Sequence, residues 1–340
     1  PYGIGSLTNL EYLNLSKNAY TWGGIPIGGI SGSIPDEIGN LENLSYLNLS
    51  QNNLSGPIPS SIGSLQNLDS LNFSINFQQD MLIPVSGIDS IPPEIGDLIN
   101  LRYLNLSSCF ISTFPSEISN LQSLEELNLS SNRSLADIEL VSIGSDSASS
   151  IFSTIFELTN LKHLKIETCY LEGIIPLGFS NLENLESLYL NANRLSGELP
   201  NDLWRLEDLE VLKIGSGEVM VFGGAINVKN SFYGGILDST LSLVNLNHLD
   251  LSDNQFSGEI PNNFFSHPSL NIVRLNGNSF SGVIPNSICD FINSGGDSLN
   301  IGFALDENMF CAPYPACLDL SCLVPYTLGH ELEFNCVGDQ

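Results

Sequence analysis

The sequence predicts one continuous solenoid: a curved, right-handed superhelix of about eleven stacked units, with a parallel β-sheet on its concave face and a Cys-rich C-terminal cap. Three observations predict it. A 24-residue segment recurs without gaps, as LSYLNLSQNNLSGPIPSSIGSLQN at 44–67, LESLYLNANRLSGELPNDLWRLED at 185–208 and LNHLDLSDNQFSGEIPNNFFSHPS at 246–269. Each copy opens on L-x-x-L-x-L, the alternation of a short strand with one buried side. Five of the seven cysteines crowd the last part of the chain.

The units follow one frame, L-x-x-L-x-L-x-x-N-x-x-S-G-x-x-P. Strand starts fall at Leu10, Leu44, Leu68, Leu101, Leu124, Leu161, Leu185, Leu209, Leu246 and Leu270, and a degenerate eleventh unit runs through Phe303, Leu305 and Asn308. One short strand cannot bury its leucines alone, so the units must stack. The expected core is Leu13, Leu15, Leu47, Leu49, Leu104, Leu106, Leu188, Leu190, Leu249, Leu251 and their equivalents. Each buried leucine contributes about 1.5–3 kcal/mol, offset by ordering entropy. After the strand comes an asparagine column, Asn18, Asn52, Asn76, Asn132, Asn193, Asn254 and Asn278. A buried amide there can satisfy backbone groups that the loop would orphan. Ser-Gly then reads as a tight turn, and Pro stiffens the return path.

Strand starts are spaced 34, 24, 33, 23, 37, 24, 24, 37 and 24 residues apart, so four units carry inserts, near 19–30, 77–89, 133–150 and 217–234. The first holds Tyr20 and Trp22; the last holds Val219, Met220, Val221 and Phe222. Such inserts either carry binding loops or cover the flank of the solenoid, and the Ser-rich stretch 142–153 reads as cover. Pro1–Asn9 aligns with Pro59–Asn67, so the chain opens inside a repeat. It has no initiator Met and no signal peptide, the profile of a processed or partial chain, whose open end upstream residues or a second copy would cover.

The N-x-L-S-G-x-I-P segments at 53–59, 193–200 and 254–261 resemble those of plant-type extracellular leucine-rich repeat proteins. That family includes receptor-like kinase and receptor-like protein ectodomains and polygalacturonase-inhibiting proteins. The resemblance implies a leucine-rich repeat solenoid over 1–308 and a Cys-rich cap over 309–340. ENMFCAPYPAC at 307–317 is similar to the family's disulfide cap, formed here from Cys289, Cys311, Cys317, Cys322 and Cys336, with Cys311 joined to Cys317 or to another cap cysteine. Five is odd, so one is unpaired or pairs outside the sequence. Cys109 and Cys169 stand in the asparagine column and read as buried free thiols. Zinc spacing is absent, and cap disulfides imply an oxidising compartment.

Composition narrows function. The chain has 340 residues, 10 basic and 38 acidic, a net charge of −28. That charge repels nucleic acids and anionic membranes. Charged residues are only 14% and apolar ones 42%, a profile that suits an extracellular or cell-surface protein with a large core. Length alone suggests two domains; the repeats override it. No run of about 18 apolar residues exists to insert this segment in a membrane. N-x-S/T sequons occur at Asn14, Asn43, Asn48, Asn53, Asn72, Asn105, Asn128 and Asn132. Glycans are expected at Asn43 and Asn53 before Asn132. Partial occupancy is expected down the outward column Asn14, Asn48, Asn72, Asn105 and Asn128, where strands about 4.8 Å apart crowd branched sugars.

No catalytic, phosphate-binding or calcium motif is present, no cofactor is implied, and Gly215-Ser-Gly217 lacks the third glycine of a dinucleotide fingerprint. The Glu125–Glu126 pair reads as a solvated face, not a glycosidase dyad. The chain therefore reads as a non-enzymatic recognition module for a protein, peptide or acidic glycan. The alternative is a glycosylated structural subunit of a surface layer or fibre, stacked end to end through its open N-terminal end. Past Asn128 the outward column changes to Lys165, Tyr189, Lys213, Asp250 and Arg274, with Lys162, His163 and His248 beside it. Lys162, His163, Lys165, Tyr189, Lys213, His248 and Arg274 form the candidate ligand site, suited to a carboxylate-bearing partner. The competing reading is charge balance against Glu167, Glu186, Glu210 and Asp250.

Overall fold

The computed structural model describes residues 3–18, 20–22, 25–80, 83–132, 147–221, 224–236, 242–293 and 305–318. Phe222, Phe303, Cys322, Cys336 and most of the third insert lie outside them. Ten three-residue strands form one parallel sheet in chain order: Tyr12–Asn14, Tyr46–Asn48, Ser70–Asn72, Tyr103–Asn105, Glu126–Asn128, His163–Lys165, Ser187–Tyr189, Val211–Lys213, His248–Asp250 and Ile272–Arg274. Register is in phase throughout, so Leu47 pairs with Leu71 and Leu188 with Leu212. This sheet lines the concave face, and no helix among the described residues is long and apolar enough to cross a membrane.

The core lies directly beneath the sheet. Leu47, Leu104, Leu106, Leu188, Leu190 and Leu249 are fully buried, and all belong to one continuous cluster running from Leu13 to Phe310. Leu15 is the exception, 37% exposed. Leu15 belongs to the first unit, beside which no earlier unit is described.

The asparagine column works as a ladder. Asn76 donates from Nδ2 to Leu49 O (2.9 Å) and Phe73 O (2.7 Å), and its Oδ1 accepts from Leu54 N (3.1 Å). Asn132 and Asn193 repeat the pattern two and four units on. Asn18, in the end unit, is exposed and bonds only its own loop. Cys109 and Cys169 are free and buried, and their thiols donate to Phe73 O (3.2 Å) and Leu129 O (3.3 Å). Burial pushes both thiols up to about 12, which leaves them protonated donors.

Ser-Gly proves to be more than a turn. The segments Glu172–Ile174, Arg194–Glu198, Ser231–Gly234, Gln255–Glu259, Ser279–Val283 and Met309–Cys311 form a second, six-stranded sheet. Ser31–Gly32 and Asn53–Leu54 start a shorter equivalent near the N-terminus. The glycine stays necessary inside the strand, because Gly197, Gly258 and Gly282 take φ between 75° and 93°, where a Cβ is strained. Pro then opens a 3₁₀ turn, as at Asp36–Asn40, Ser60–Ser64, Pro93–Asp97 and Ser116–Asn120. These turns pack so closely that a Cβ on Gly96 would lie 2.4 Å from Glu117 O.

Three of the four inserts are antiparallel hairpins: Tyr20–Trp22 with Ile25–Ile27, Phe77–Asp80 with Ile83–Gly87, and Gly217–Val221 with Gly224–Val228. The described part of the remaining one is a helix, Ser147–Ile155, which buries Ala148, Ile151, Phe152 and Ile155 against the core. There the cover reading holds. The last hairpin precedes its column residue, so Asn230, not position 217, fills the ladder, donating to Leu190 O (3.0 Å) and Ile214 O (2.9 Å).

At the C-terminal end Cys289, on the helix Ser287–Asn293, is bonded to Cys317. Of the two expected arrangements for Cys311, a bridge to Cys317 or to another cap cysteine, the second holds: Cys317 is taken by Cys289, and Cys311 is disulfide-bonded to another cysteine. The helix brings Cys289 back over the last strands, a proximity that sequence spacing hides.

Candidate functional site

Each concave strand points its first and third residues outward. In the first five strands the third residue is always asparagine, and it caps its own strand. Asn48 Oδ1 accepts from Ser50 N (2.9 Å), Asn72 from Ser74 N (2.9 Å), Asn105 from Ser107 N (3.0 Å) and Asn128 from Ser130 N (3.0 Å). This is an Asx turn, which ends the strand by giving the next free N–H a partner. The L-N-L-S sequons thus coincide with a backbone device.

From the sixth strand the third residues are Lys165, Tyr189, Lys213, Asp250 and Arg274, adjacent in register. Lys165 Nζ lies 5.8 Å and Lys213 Nζ 5.3 Å from the Tyr189 ring centroid, so the electron-rich ring face holds two cations beside it. Lys165 also pairs with Glu126 (3.0 Å), and Arg274 with Asp250 (3.7 Å). Lys162 pairs with Glu125 (3.0 Å), which Arg102 also engages (2.6 Å). The hydrogen bond from Lys162, then that from Arg102, holds the Glu125 carboxyl below its ordinary value. His163 Nδ1 contacts Ser187 Oγ (2.9 Å), and its Nε2 lies 3.8 Å from Glu186. His248 stands two strands from Ser187, at the first outward position. Among the described residues Lys213 has no carboxylate within ion-pair distance.

The structure therefore brings Lys165, Tyr189 and Lys213 together as one group, and ties Lys162, His163 and Arg274 to acids around it. Glu167 borders this group. Burial raises its carboxyl above the ordinary range, against the opposing pull of an Asn191 hydrogen bond and of Lys213 and Lys165.

A second asparagine ladder was not anticipated. Asn43, Asn67, Asn100, Asn160, Asn184 and Asn245, each just before a strand-start leucine, donate from Nδ2 to the backbone of the preceding unit at 2.7–2.9 Å. The signal was a fixed offset in the frame. Of the other sequon residues, Asn14 is exposed, Asn53 is half-buried, and Asn132 is fully buried with its Nδ2 doubly bonded.

The concave sheet, the asparagine ladder and the N-x-L-S-G-x-I-P strands together define a repeat solenoid of the plant leucine-rich repeat type. A profile of the family described as "Leucine-rich repeat region" matches residues 89–293, and a single leucine-rich repeat profile matches 43–65; the chain belongs to the leucine-rich repeat family. Among solved structures it is similar to the plant peptide hormone receptor RGFR1 in complex with RGF2, with 26% identity, TM-score 0.67, and coverage of 94% of this chain and 47% of that one. It is also similar to the ectodomain of the Arabidopsis thaliana membrane receptor kinase GASSHO1/SCHENGEN3 in complex with CASPARIAN STRIP INTEGRITY FACTOR 2, with 26% identity, TM-score 0.62, and coverage of 93% and 38%. The Leptospira interrogans protein LIC12759 shares 27% identity at TM-score 0.61, over 86% of this chain and 73% of that one. The chain spans less than half the length of either plant ectodomain. No curated protein sequence matches it.

Proposed function

We propose that the chain is a non-catalytic extracellular recognition module whose concave face binds a protein or peptide through an anionic group. The observation that carries this reading is the group Lys165, Tyr189 and Lys213, assembled by register on a chain of net charge −28. Lys213, flanked by an aromatic face and free of an acid partner among the described residues, has its charge available. An acidic side chain, a carboxyl terminus or a uronic-acid glycan offers the matching chemistry. The two plant relatives, a peptide hormone receptor in complex with RGF2 and a receptor kinase ectodomain in complex with CASPARIAN STRIP INTEGRITY FACTOR 2, support a peptide before a glycan.

The test is the Lys165→Glu, Lys213→Glu double variant in pull-down from native extracellular matrix, repeated across salt concentrations. Lost capture and salt-sensitive wild-type affinity are expected. Unchanged, salt-insensitive capture would move attention to the hairpins at 20–27 and 217–228.

Glycosylation belongs to the same reading. Asn43, exposed although its Nδ2 donates to Thr8 O (2.8 Å), and Asn53 remain the proposed sites, and Asn132 the excluded one, since its fully buried amide leaves no room for a sugar. Asn48 and Asn105 spend Nδ2 on tyrosine hydroxyls, so partial occupancy is expected there. Glycopeptide mass spectrometry after secretory expression decides it; a glycan on Asn132 would contradict the fold-based ranking.

A further inference from the structure

The first outward position of the sheet reads Tyr12, Tyr46, Ser70, Tyr103 in register. Tyr12 and Tyr46 stack with ring centroids 4.4 Å apart and planes 6° from parallel. The three tyrosines share one pose, because the asparagine two residues on donates from Nδ2 to each hydroxyl. Asn14 reaches Tyr12 at 3.5 Å, Asn48 reaches Tyr46 at 3.1 Å and Asn105 reaches Tyr103 at 3.0 Å. Ser70 interrupts this ladder with a side chain too short to stack.

The interruption leaves a gap one strand wide. The strands bearing Tyr46 and Tyr103 are two steps apart, roughly 9–10 Å. A flat ring midway would sit about 4.5–5 Å from each wall, within the range of offset stacking. The hydrogen-bonding half of the motif is still in place. Asn72 Oδ1 is committed to Ser74 N (2.9 Å), while its Nδ2, with no tyrosine at position 70, has no partner among the described residues.

We propose that this gap is a binding slot for a para-hydroxylated aromatic ring, the tyrosyl side chain of a peptide or protein ligand, inserted between Tyr46 and Tyr103 with its hydroxyl accepting a hydrogen bond from Asn72. The ligand ring would supply the one member the ladder lacks. A phenyl ring would fill the walls and leave Asn72 unpaired, so the slot prefers phenol over phenyl. The inference rests on the concave face being the ligand face, and adds a subsite in its other half. Ser70 and Lys213 are five strands apart, roughly 24 Å, which about eight extended residues can span.

The test titrates N-acetyl-tyrosinamide and N-acetyl-phenylalaninamide into the whole chain, by saturation-transfer NMR. Saturable tyrosinamide binding is expected. Ser70→Tyr fills the slot with the protein's own ring. It should weaken tyrosinamide at least tenfold, with the melting midpoint at or above that of the wild type. Asn72→Leu, of the same branched shape, removes both the donor and any acceptor that the phenol could use, together with the Ser74 cap. It should weaken tyrosinamide about fivefold and leave phenylalaninamide unchanged. Unsaturable binding to wild type, wild-type affinity in Ser70→Tyr, or full glycan occupancy of Asn72 would each overturn the slot. Both variants leave Lys165 and Lys213 intact. If the double charge variant loses its ligand while tyrosinamide fails to bind, the slot falls and the recognition reading stands.

Discussion

From Tyr12–Asn14 to Glu126–Asn128 every concave strand ends on an asparagine, and from His163–Lys165 onward none does. The backbone, register and buried leucines are the same on both sides of that boundary. In the first half the outward asparagine has a structural duty: it caps the N–H two residues on. In the second half only Asp250 retains it, accepting from Ser252 N (3.0 Å). Lys165, Lys213 and Arg274 carry no side-chain acceptor, and the Tyr189 hydroxyl, at the far end of its ring, is not the short-chain acceptor that such a cap needs. Their positions have been released from holding the strand end, and they carry charge and aromatic surface instead. A solenoid can thus separate folding from recognition at a single column, because inward residues already fix the register.

The inward column should not distinguish the halves, and the largest effects test that. Leu188→Asp should unfold several neighbouring units in a urea titration, since a buried unpaired charge costs many kcal/mol. Asn76→Ala in one half and Asn193→Ala in the other should each cost about 3 kcal/mol or more, because each strands several buried backbone groups. Asn18→Ala, at an exposed site, should stay within about 0.5 kcal/mol. A large difference between Asn76→Ala and Asn193→Ala would break the claim of a common frame.

The outward column should distinguish them by smaller amounts. Asn105→Ala removes the cap on Ser107 N and the bond to Tyr103, and should cost about 1 kcal/mol. Lys213→Ala, at the equivalent position, should stay within about 0.5 kcal/mol of wild type while weakening capture of an anionic ligand. Equal stability losses would mean that the second half is not released from structural duty.

Much of this architecture was legible because it rests on period and offset. The strand leucines, the asparagine column and the two thiols standing in it all follow from the frame. What stayed hidden depends on position in space. Leu15 fits the frame yet is exposed, because burial needs a neighbour as well as a pattern. R-L-S-G-E reads as a turn through its Ser-Gly, whereas the alternation around Leu195 and the neighbouring units' hydrogen bonds make it a strand. Asn230 replaces the residue at 217 because the hairpin at 217–228 moves the ladder position along the chain. The candidate patch was found as a row of residue types; its ion pairs, such as Lys162–Glu125 across one unit, needed side-chain geometry.

The smallest expected effect lies at the edge of the second half. Glu167 occupies the position after the strand where the first half places serines such as Ser130, and burial there lifts its carboxyl above the ordinary range. The folded chain then holds this proton more tightly than the unfolded one, so ionising Glu167 costs stability. That cost is absent below the unfolded carboxylate range and fully present once pH has risen through the raised folded value. Glu167→Gln should therefore raise the melting midpoint at neutral pH, and the gain should shrink to nothing on acidification. The neighbouring lysines add a binding consequence. Ionised Glu167 competes with any ligand anion for Lys213 and Lys165, so anion capture should strengthen as pH falls through that value, and Glu167→Gln should flatten the dependence. A midpoint gain that persists undiminished in acid would show that burial of the charge is not the cause. The contrast between the halves would then rest on the lysines and Tyr189 alone.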